Sequence, residues 1–319
     1  MCQRQKRVIQ SLCVTLFLCL SLGSCGKADK MPPIDNNKDL DGKLVNDSSL
    51  SFPQNYLLSA AVPVPSAGDL AKPAVILVHG FSATTFEWLE FRDWVKTKGD
   101  VHTSLVLLGG HGRDYADFKK ATWQDWQQPI IDEYQKLQNF GYKIHIVASS
   151  TGCPLVLNML RENKVNPALL NQLILIDPII IPANKQLSLI PALGAALPYT
   201  ETEMEKGEDG FWYKYRPAEA LQQLEKLARR ERKALETGYT LNEGISVKVY
   251  KSIKDAAVDP LSAVQLRKGL RHAKGSEIEV EMVESNLHVF TRLRGRNSFT
   301  SEDSATQVRV FQEIYNRVK

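Results

Sequence analysis

Cysteine is scarce in this 319-residue chain, and no sign of charge dominates it. Of five cysteines, Cys2, Cys13 and Cys19 fall within residues 1–24, which leaves Cys25 and Cys153. That excludes a disulfide framework, so burial of apolar side chains must hold the core. Lys and Arg total 40 against 36 Asp and Glu, a formal charge of +4. Loss of Arg4, Lys6 and Arg7 with a cleaved leader would bring this to about +1, far from the basic excess of a nucleic-acid binder. No internal repeat is present, which excludes a solenoid. No Lys-Ser/Thr pair follows the glycines of Gly109-Gly110-His111-Gly112, and no second ligand stands at metal spacing from His111. Neither a phosphate loop nor a metal centre is therefore expected, and no cofactor is implied. The apolar run Val8 to Leu22 is short of the roughly 20 residues of a spanning helix.

That run instead forms the middle of a leader. A basic start with no acid (Met1 to Arg7), the apolar stretch, and Leu22-Gly23-Ser24-Cys25 read as a secretory signal over residues 1–24. Its end resembles the bacterial lipoprotein signal, in which the cysteine after the cut is acylated. The resemblance implies a lipidated Cys25 and attachment to a membrane of the cell envelope, facing the periplasm or the outside. An ordinary cleaved signal, or an uncleaved anchor, is the plainer alternative. Residues 25–54, rich in Asp, Asn, Lys and Ser, read as a flexible tether.

From residue 55 to 319 strand-like and helix-like segments alternate. Pro73 to His79 is a continuous apolar run, the pattern of a strand covered on both faces. Thr103 to Leu108, Lys143 to Ala148, Leu173 to Ile176, Ile245 to Tyr250 and Glu277 to Val283 read as further strands, with Tyr56 to Val64 ahead of them. Helical spacing marks Thr85 to Lys98, Trp123 to Phe140, Leu155 to Asn163, Ala218 to Leu235, Leu261 to Arg271 and Ser304 to Val318. This rhythm predicts an α/β domain with a mostly parallel central sheet flanked by helices. It breaks over residues 179–243, which read as a helical cap insertion. That stretch carries the apolar patches Ile179 to Pro182 and Leu187 to Leu197 and the aromatic cluster Phe211-Trp212-Tyr213.

Ala148-Ser149-Ser150-Thr151-Gly152 joins a strand to a helix. A sharp turn there needs small residues two before and two after the serine, and it lifts the hydroxyl out at the sheet edge. The bare pattern would occur by chance about once in such a chain; its place at a strand end singles out Ser150. A serine needs a base within reach to become a nucleophile. In a triad ordered Ser, acid, His, only His272 and His288 of the six histidines fall late enough. His288, in a loop after the last strand, is favoured over His272 at a helix end. Asp255 is the favoured acid, with Asp259 read as a helix cap and Asp177 as a further alternative. The backbone N–H groups of Phe81 and Thr151 are the expected oxyanion donors, with His79 bracing the loop. Cys153 reads as a buried packing residue, and His111 as a loop histidine at the pocket rim.

With these residues placed, the chain from Pro73 to Tyr315 resembles the bacterial carboxylesterases and monoacylglycerol lipases of the α/β-hydrolase superfamily. The likeness rests on His79-Gly80-Phe81-Ser82, Leu108 to Gly112, Trp123 to Trp126 with Tyr134 and Leu137, Asp255 to Ala263, and Glu284-Ser285 with His288-Val289. Ala148 and Cys153 depart from it, standing where glycine is usual. The resemblance implies Ser150, Asp255 and His288 as catalytic residues, Phe81 and Thr151 as the oxyanion hole, and residues 179–243 as a cap over an acyl pocket. Phe211, Trp212 and Tyr213 are expected to contribute to substrate binding, with packing of the cap as the plainer alternative. An acyl ester is the expected substrate; a thioester, a lysophospholipid, or a binding role without turnover are the alternatives.

Overall fold

A computed structural model describes residues 59–62, 64–66, 68–183, 198–208 and 210–319. The leader 1–24, Cys25, the tether 25–54 and the whole apolar patch Leu187 to Leu197 lie outside these residues. Among the described residues no helix is long and apolar enough to cross a membrane.

Six strands form one parallel sheet: β1 (Ala74–Val78), β2 (His102–Val106), β3 (Ile144–Ser149), β4 (Leu170–Ile176), β8 (Ser246–Ser252) and β10 (Glu279–Val283). Their order is β10-β8-β4-β3-β1-β2. Two short ladders complete the strands: β5 (Tyr199–Glu201) runs antiparallel to β6 (Tyr215–Pro217), and β7 (Tyr239–Thr240) pairs with β9 (Leu270–Arg271). Of the leading strand expected over Tyr56 to Val64, the described part makes one antiparallel bridge, Ala60 to Leu105. The helices are α1 (Leu89–Lys96), α2 (Tyr115–Lys120), α3 (Trp123–Phe140), α4 (Gly152–Arg161), α5 (Ala218–Thr237), α6 (Leu261–Gly269) and α7 (Ser301–Val318).

The continuous apolar strands are explained by two cores, one on each face of the sheet. Along β1, Ala74, Ile76 and Val78 enter one cluster, with Trp126 and Ile130 of α3, Leu155 of α4 and Leu224 of α5. Val75 and Leu77 alternate into the other, with Phe91 of α1 and Phe311 and Ile314 of α7. A strand buried on both faces has no polar position to reveal its period. Caps set where two long helices begin: Thr122 and Asp125 close a capping box on α3, and Thr300 and Asp303 close another on α7. Thr85 to Lys98 is not one helix. A 3-10 turn, Thr85–Trp88, precedes α1, with the side chain of Thr84 accepting from the Phe86 N–H.

Residues 179–243 serve two purposes. The part after residue 197 supplies β5, β6 and the aromatic cluster, while α5 packs beside α2, α3, α4 and α6 as the crossover helix between β4 and β8. Register then brings the carboxyl ends of the strands level: Val78 pairs with Ala148, Ser149 with Ile176, Ile176 with Tyr250, and Ser252 with Val283. Everything that follows those four pairs is delivered to one edge, where open parallel sheets bind their ligands.

Candidate active site

Ser150 follows β3 with a positive φ of 47°, a conformation that non-glycine residues rarely adopt and that marks a strained turn. Its N–H donates to the Ile176 carbonyl at 2.9 Å, which ties the turn to the neighbouring strand. The sequence around it is small by necessity. A Cβ on Gly152 would lie 2.8 Å from the Val78 side chain and 2.9 Å from the Val78 and His79 carbonyl oxygens; one on Gly80 would lie 2.9 Å from Ser150 Cβ. Ala148 is fully buried in the core, so its methyl fits where a glycine is usual.

His288 sits in the loop after β10 and brings three expected residues together. Its Nε2 lies 2.9 Å from Ser150 Oγ and its Nδ1 lies 2.9 Å from Asp255 Oδ2. The tautomer consistent with this donates from Nδ1 to the carboxylate and accepts at Nε2 from the hydroxyl. Asp255, buried after β8, is held by its other oxygen, which accepts from the Ala257 and Val258 N–H groups at 2.7 and 3.1 Å. Burial pushes the Asp255 pKa up, but the bond to His288 and the attraction of His288 and Lys251 win and bring it to about 2. Burial likewise opposes the His288 imidazolium. The bond to Asp255, with the charges of Asp177 and Glu87 behind it, outweighs burial and raises the pKa above the ordinary 6.5.

Two buried groups behind this line escaped the sequence reading. Lys251 is wholly buried, and its ammonium donates to Asp255 Oδ2 at 2.7 Å, Asp177 Oδ1 at 3.2 Å and the Ser252 carbonyl at 2.8 Å. Asp177 makes no bond to His288; it accepts from the N–H groups of Ser252 and Val289 at 2.7 and 2.9 Å and so clamps β8 to the histidine loop. Asp177, Asp255 and His288 stand close enough to suggest a metal cluster, but the Lys251 ammonium already bonds to both carboxylates and would repel a cation. Glu87 is the second. Its Oε1 accepts from the Gly80 N–H at 2.9 Å and from the Ser149 hydroxyl, and burial raises its pKa. It fastens the loop after β1 to the turn after β3. Neither Lys251 nor Glu87 belongs to a motif, and only pairing across strands exposes them.

The loop after β1 carries Phe81. Neither the Phe81 nor the Thr151 N–H bonds to another group among the described residues, and both residues flank Ser150. His79 is fully buried, with Nδ1 facing the Gly80 carbonyl at 2.8 Å and Nε2 accepting from the Leu108 N–H at 3.1 Å. It braces the loop without reaching the cavity. A cavity of about 170 Å³ opens over Ser150 and His288, walled by Phe81, Met204, Trp212 and Val289 among others.

Two expectations, for the aromatic cluster and for His111, need correction. Of the aromatic cluster only Trp212 lines that cavity. Phe211 stacks on Phe86 with ring centres 4.1 Å apart, and Tyr213 stacks on Phe118 at 4.2 Å, its hydroxyl donating to the Arg113 carbonyl at 2.8 Å. Both rings are spent on packing the insertion down. His111 is no rim residue: it is fully buried among Phe118, Trp126 and His79, and burial lowers its pKa to about 4. His272 faces the Ile245 carbonyl at 3.1 Å, away from Ser150. Asp259 accepts from the Leu261 N–H at 2.9 Å at the start of α6, as a capping side chain does. The Cys153 thiol is buried against the Ala148 carbonyl at 3.2 Å, and burial pushes its pKa well up, the opposite of an activated thiolate.

No protein-family model and no curated protein matches the chain. Solved structures do. One of the metagenome-derived lipolytic enzymes described together as LipS and LipT is 15% identical with a TM-score of 0.63, over 82% of this chain and 98% of that one. A soluble variant of monoglyceride lipase from Saccharomyces cerevisiae is 13% identical with a TM-score of 0.61, over 82% of this chain and 90% of the other. At such identities the likeness speaks for architecture alone. With the parallel order of its sheet, the serine turn after β3 and these neighbours, the chain has the α/β-hydrolase fold.

Proposed function

We propose that the protein is a serine hydrolase that cleaves carboxylic esters through Ser150, His288 and Asp255. The observation that carries this is the unbroken line Asp255 to His288 to Ser150, with 2.9 Å at each link, opening on a cavity. Ser150 Oγ attacks the ester carbonyl carbon while His288 Nε2 takes the hydroxyl proton. Asp255 stabilises the imidazolium by keeping Nδ1–H pointed at itself. The carbonyl oxygen gains the negative charge and accepts from the Phe81 and Thr151 N–H groups, which the protein leaves unspent. Collapse breaks the carbon–alkoxide bond, His288 returns its proton to the leaving alcohol, and an acyl-Ser150 ester remains. Water then attacks with His288 as base, and the acid and free Ser150 are released. Each proton borrowed by His288 is given back, so no other reactant is needed.

The small cavity supports short acyl groups, with Trp212 as a wall. Cys25 would hold the enzyme to a membrane of the cell envelope through its acyl chains, a reading supported by the sequence of residues 1–25. The test is labelling by a fluorophosphonate together with turnover of nitrophenyl, thioester and lysophospholipid substrates. Labelling at Ser150 with ester cleavage is expected. A folded protein that neither labels nor cleaves any of them would refute the reading.

A further inference from the structure

An acyl pocket ought to be apolar with few polar groups, yet three arginines line the cavity over Ser150: Arg216, Arg292 and Arg296. Two of them are occupied. Arg292 donates to Glu208 at 2.6 Å and lies over the Trp212 ring, 4.5 Å from its centre. Arg296 bonds to Glu205 at 3.2 Å and donates to the His288 carbonyl, so it steadies the histidine loop. Arg216, projecting from β6, is different. Its Nε is sealed from solvent without a hydrogen-bond partner, and the group forms no ion pair with any described residue. The carboxylate that attracts it, Glu208, is already bonded to Arg292. The other cavity carboxylate, Glu87, is turned inward to Gly80 and Ser149.

Burial disfavours the Arg216 cation, but a guanidinium does not give up its proton in a protein. A half-buried guanidinium with its Nε sealed and unpartnered is short of a counter-charge, and its natural complement is a planar oxyanion that takes two parallel N–H bonds. We propose that Arg216 is an anion-recognition subsite beside Ser150, and that the ester cleaved there carries a carboxylate or similar oxyanion. This rests on the serine-hydrolase reading for the reaction, though not for the binding of the anion. A cavity of about 170 Å³ limits the spacer between anion and scissile carbonyl to a short one. Met204 and Trp212 supply its apolar walls.

Two ester pairs decide which side of the ester bears the charge. Monoethyl adipate against ethyl hexanoate places it on the acyl part; 4-(butanoyloxy)benzoate against phenyl butanoate places it on the alcohol. The wild type should favour the charged member of one pair in kcat/KM by on the order of tenfold. Arg216→Met should bring that ratio to about one, and Arg216→Lys should keep part of it, with thermal melts showing both variants folded. Benzoate binding, measured by calorimetry with benzamide as control, reads the subsite without turnover. It should weaken on the order of tenfold in Arg216→Met. Arg216-dependent benzoate binding in a protein without turnover would refute the hydrolase reading and keep the subsite. Equal preference within both pairs, with benzoate binding unchanged by Arg216→Met, would overturn the subsite and leave the hydrolase reading standing.

Discussion

Replacing Lys251 with methionine should move the acid limb of the pH–rate profile upward. The Lys251 ammonium and His288 Nδ1 share one oxygen, Asp255 Oδ2, at 2.7 and 2.9 Å, which puts the two nitrogens within about 6 Å of each other. Two unit cations at that separation repel by roughly 0.7 kcal/mol at the dielectric of water and roughly 3 kcal/mol at an effective value near 20. One pKa unit corresponds to about 1.4 kcal/mol, so removing Lys251 should raise the His288 pKa by about half a unit to two units. The sign follows from the mechanism. His288 accepts a proton only when neutral, so activity is lost as pH falls through its pKa, and a higher pKa extends the loss toward neutral pH. The wild-type limb should already lie above 6.5, because Asp255 raises the His288 pKa.

The assay is kcat/KM for a nitrophenyl butyrate from about pH 5 to 9, under conditions where chemistry limits the rate. Lys251→Met also leaves Asp177 and Asp255 buried without their shared cation, which could cost about 3 to 5 kcal/mol of stability. A double variant, Lys251→Met with Asp177→Asn, removes one charge of each sign and relieves that cost. Because Asp177 raises the His288 pKa and Lys251 opposes it, the double variant should return the limb toward its wild-type position. A residue that merely fills space would change stability and leave the limb where it was. A limb that stays put, or moves to lower pH, in a folded Lys251→Met protein would refute the reasoning.

Ser150→Ala and His288→Ala should each lower ester turnover by on the order of a thousandfold or more with folding kept, since the two act as one unit; abolition of activity by His272→Ala but not by His288→Ala would reverse the assignment. Glu87→Ala strands the Gly80 N–H, at about 1 to 3 kcal/mol, leaves the Ser149 hydroxyl only the Val78 carbonyl as acceptor, and loosens the loop that carries the Phe81 amide. Steady-state kinetics should show kcat falling with little change in KM, and Glu87→Gln should restore part of it; unchanged kcat in folded Glu87→Ala would dismiss the role. Cys25→Ser should abolish incorporation of labelled fatty acid and shift the protein out of the membrane fraction, or leave it as an unprocessed precursor. Equal labelling of the variant would dismiss the lipid anchor.

The central strands were readable because burial on both faces writes apolar runs, and those of β1, β3 and β4 stop within two residues at a glycine, the serine turn or a proline; β10, only partly buried, was placed by its alternating pattern and position alone. Ser150, His288 and Asp255 were readable for a related reason: chain order and strand ends constrain where three such side chains can meet. Boundaries inside polar stretches were less legible. The split of Thr85 to Lys98 depends on the Thr84 side chain bonding the Phe86 N–H, a local competition that helical spacing does not register. His111 misled for another reason. Glycines on both sides suggested an exposed loop, whereas its ring is enclosed by Phe118, Trp126 and Tyr213 brought from three other segments.

The insertion illustrates what patterning cannot convey. An aromatic cluster near a nucleophile invites assignment to substrate, because both a pocket wall and a packing surface look alike in sequence. The stacking partners Phe86 and Phe118 decide the matter, and they lie more than ninety positions upstream. Once Phe211 and Tyr213 are fixed on those partners, the chain between and after them is committed in direction. Trp212 and Arg216 are then presented to the cavity, while Tyr215 turns to meet Tyr199 across the small ladder. Phe211 and Tyr213 therefore anchor the insertion, while Trp212 and the charged Arg216 line the cavity. Arg216 and Ser150 line one cavity although a completed crossover of the sheet, β3 to β4, separates them in the chain. A scan for motifs within any one segment has no means of pairing them.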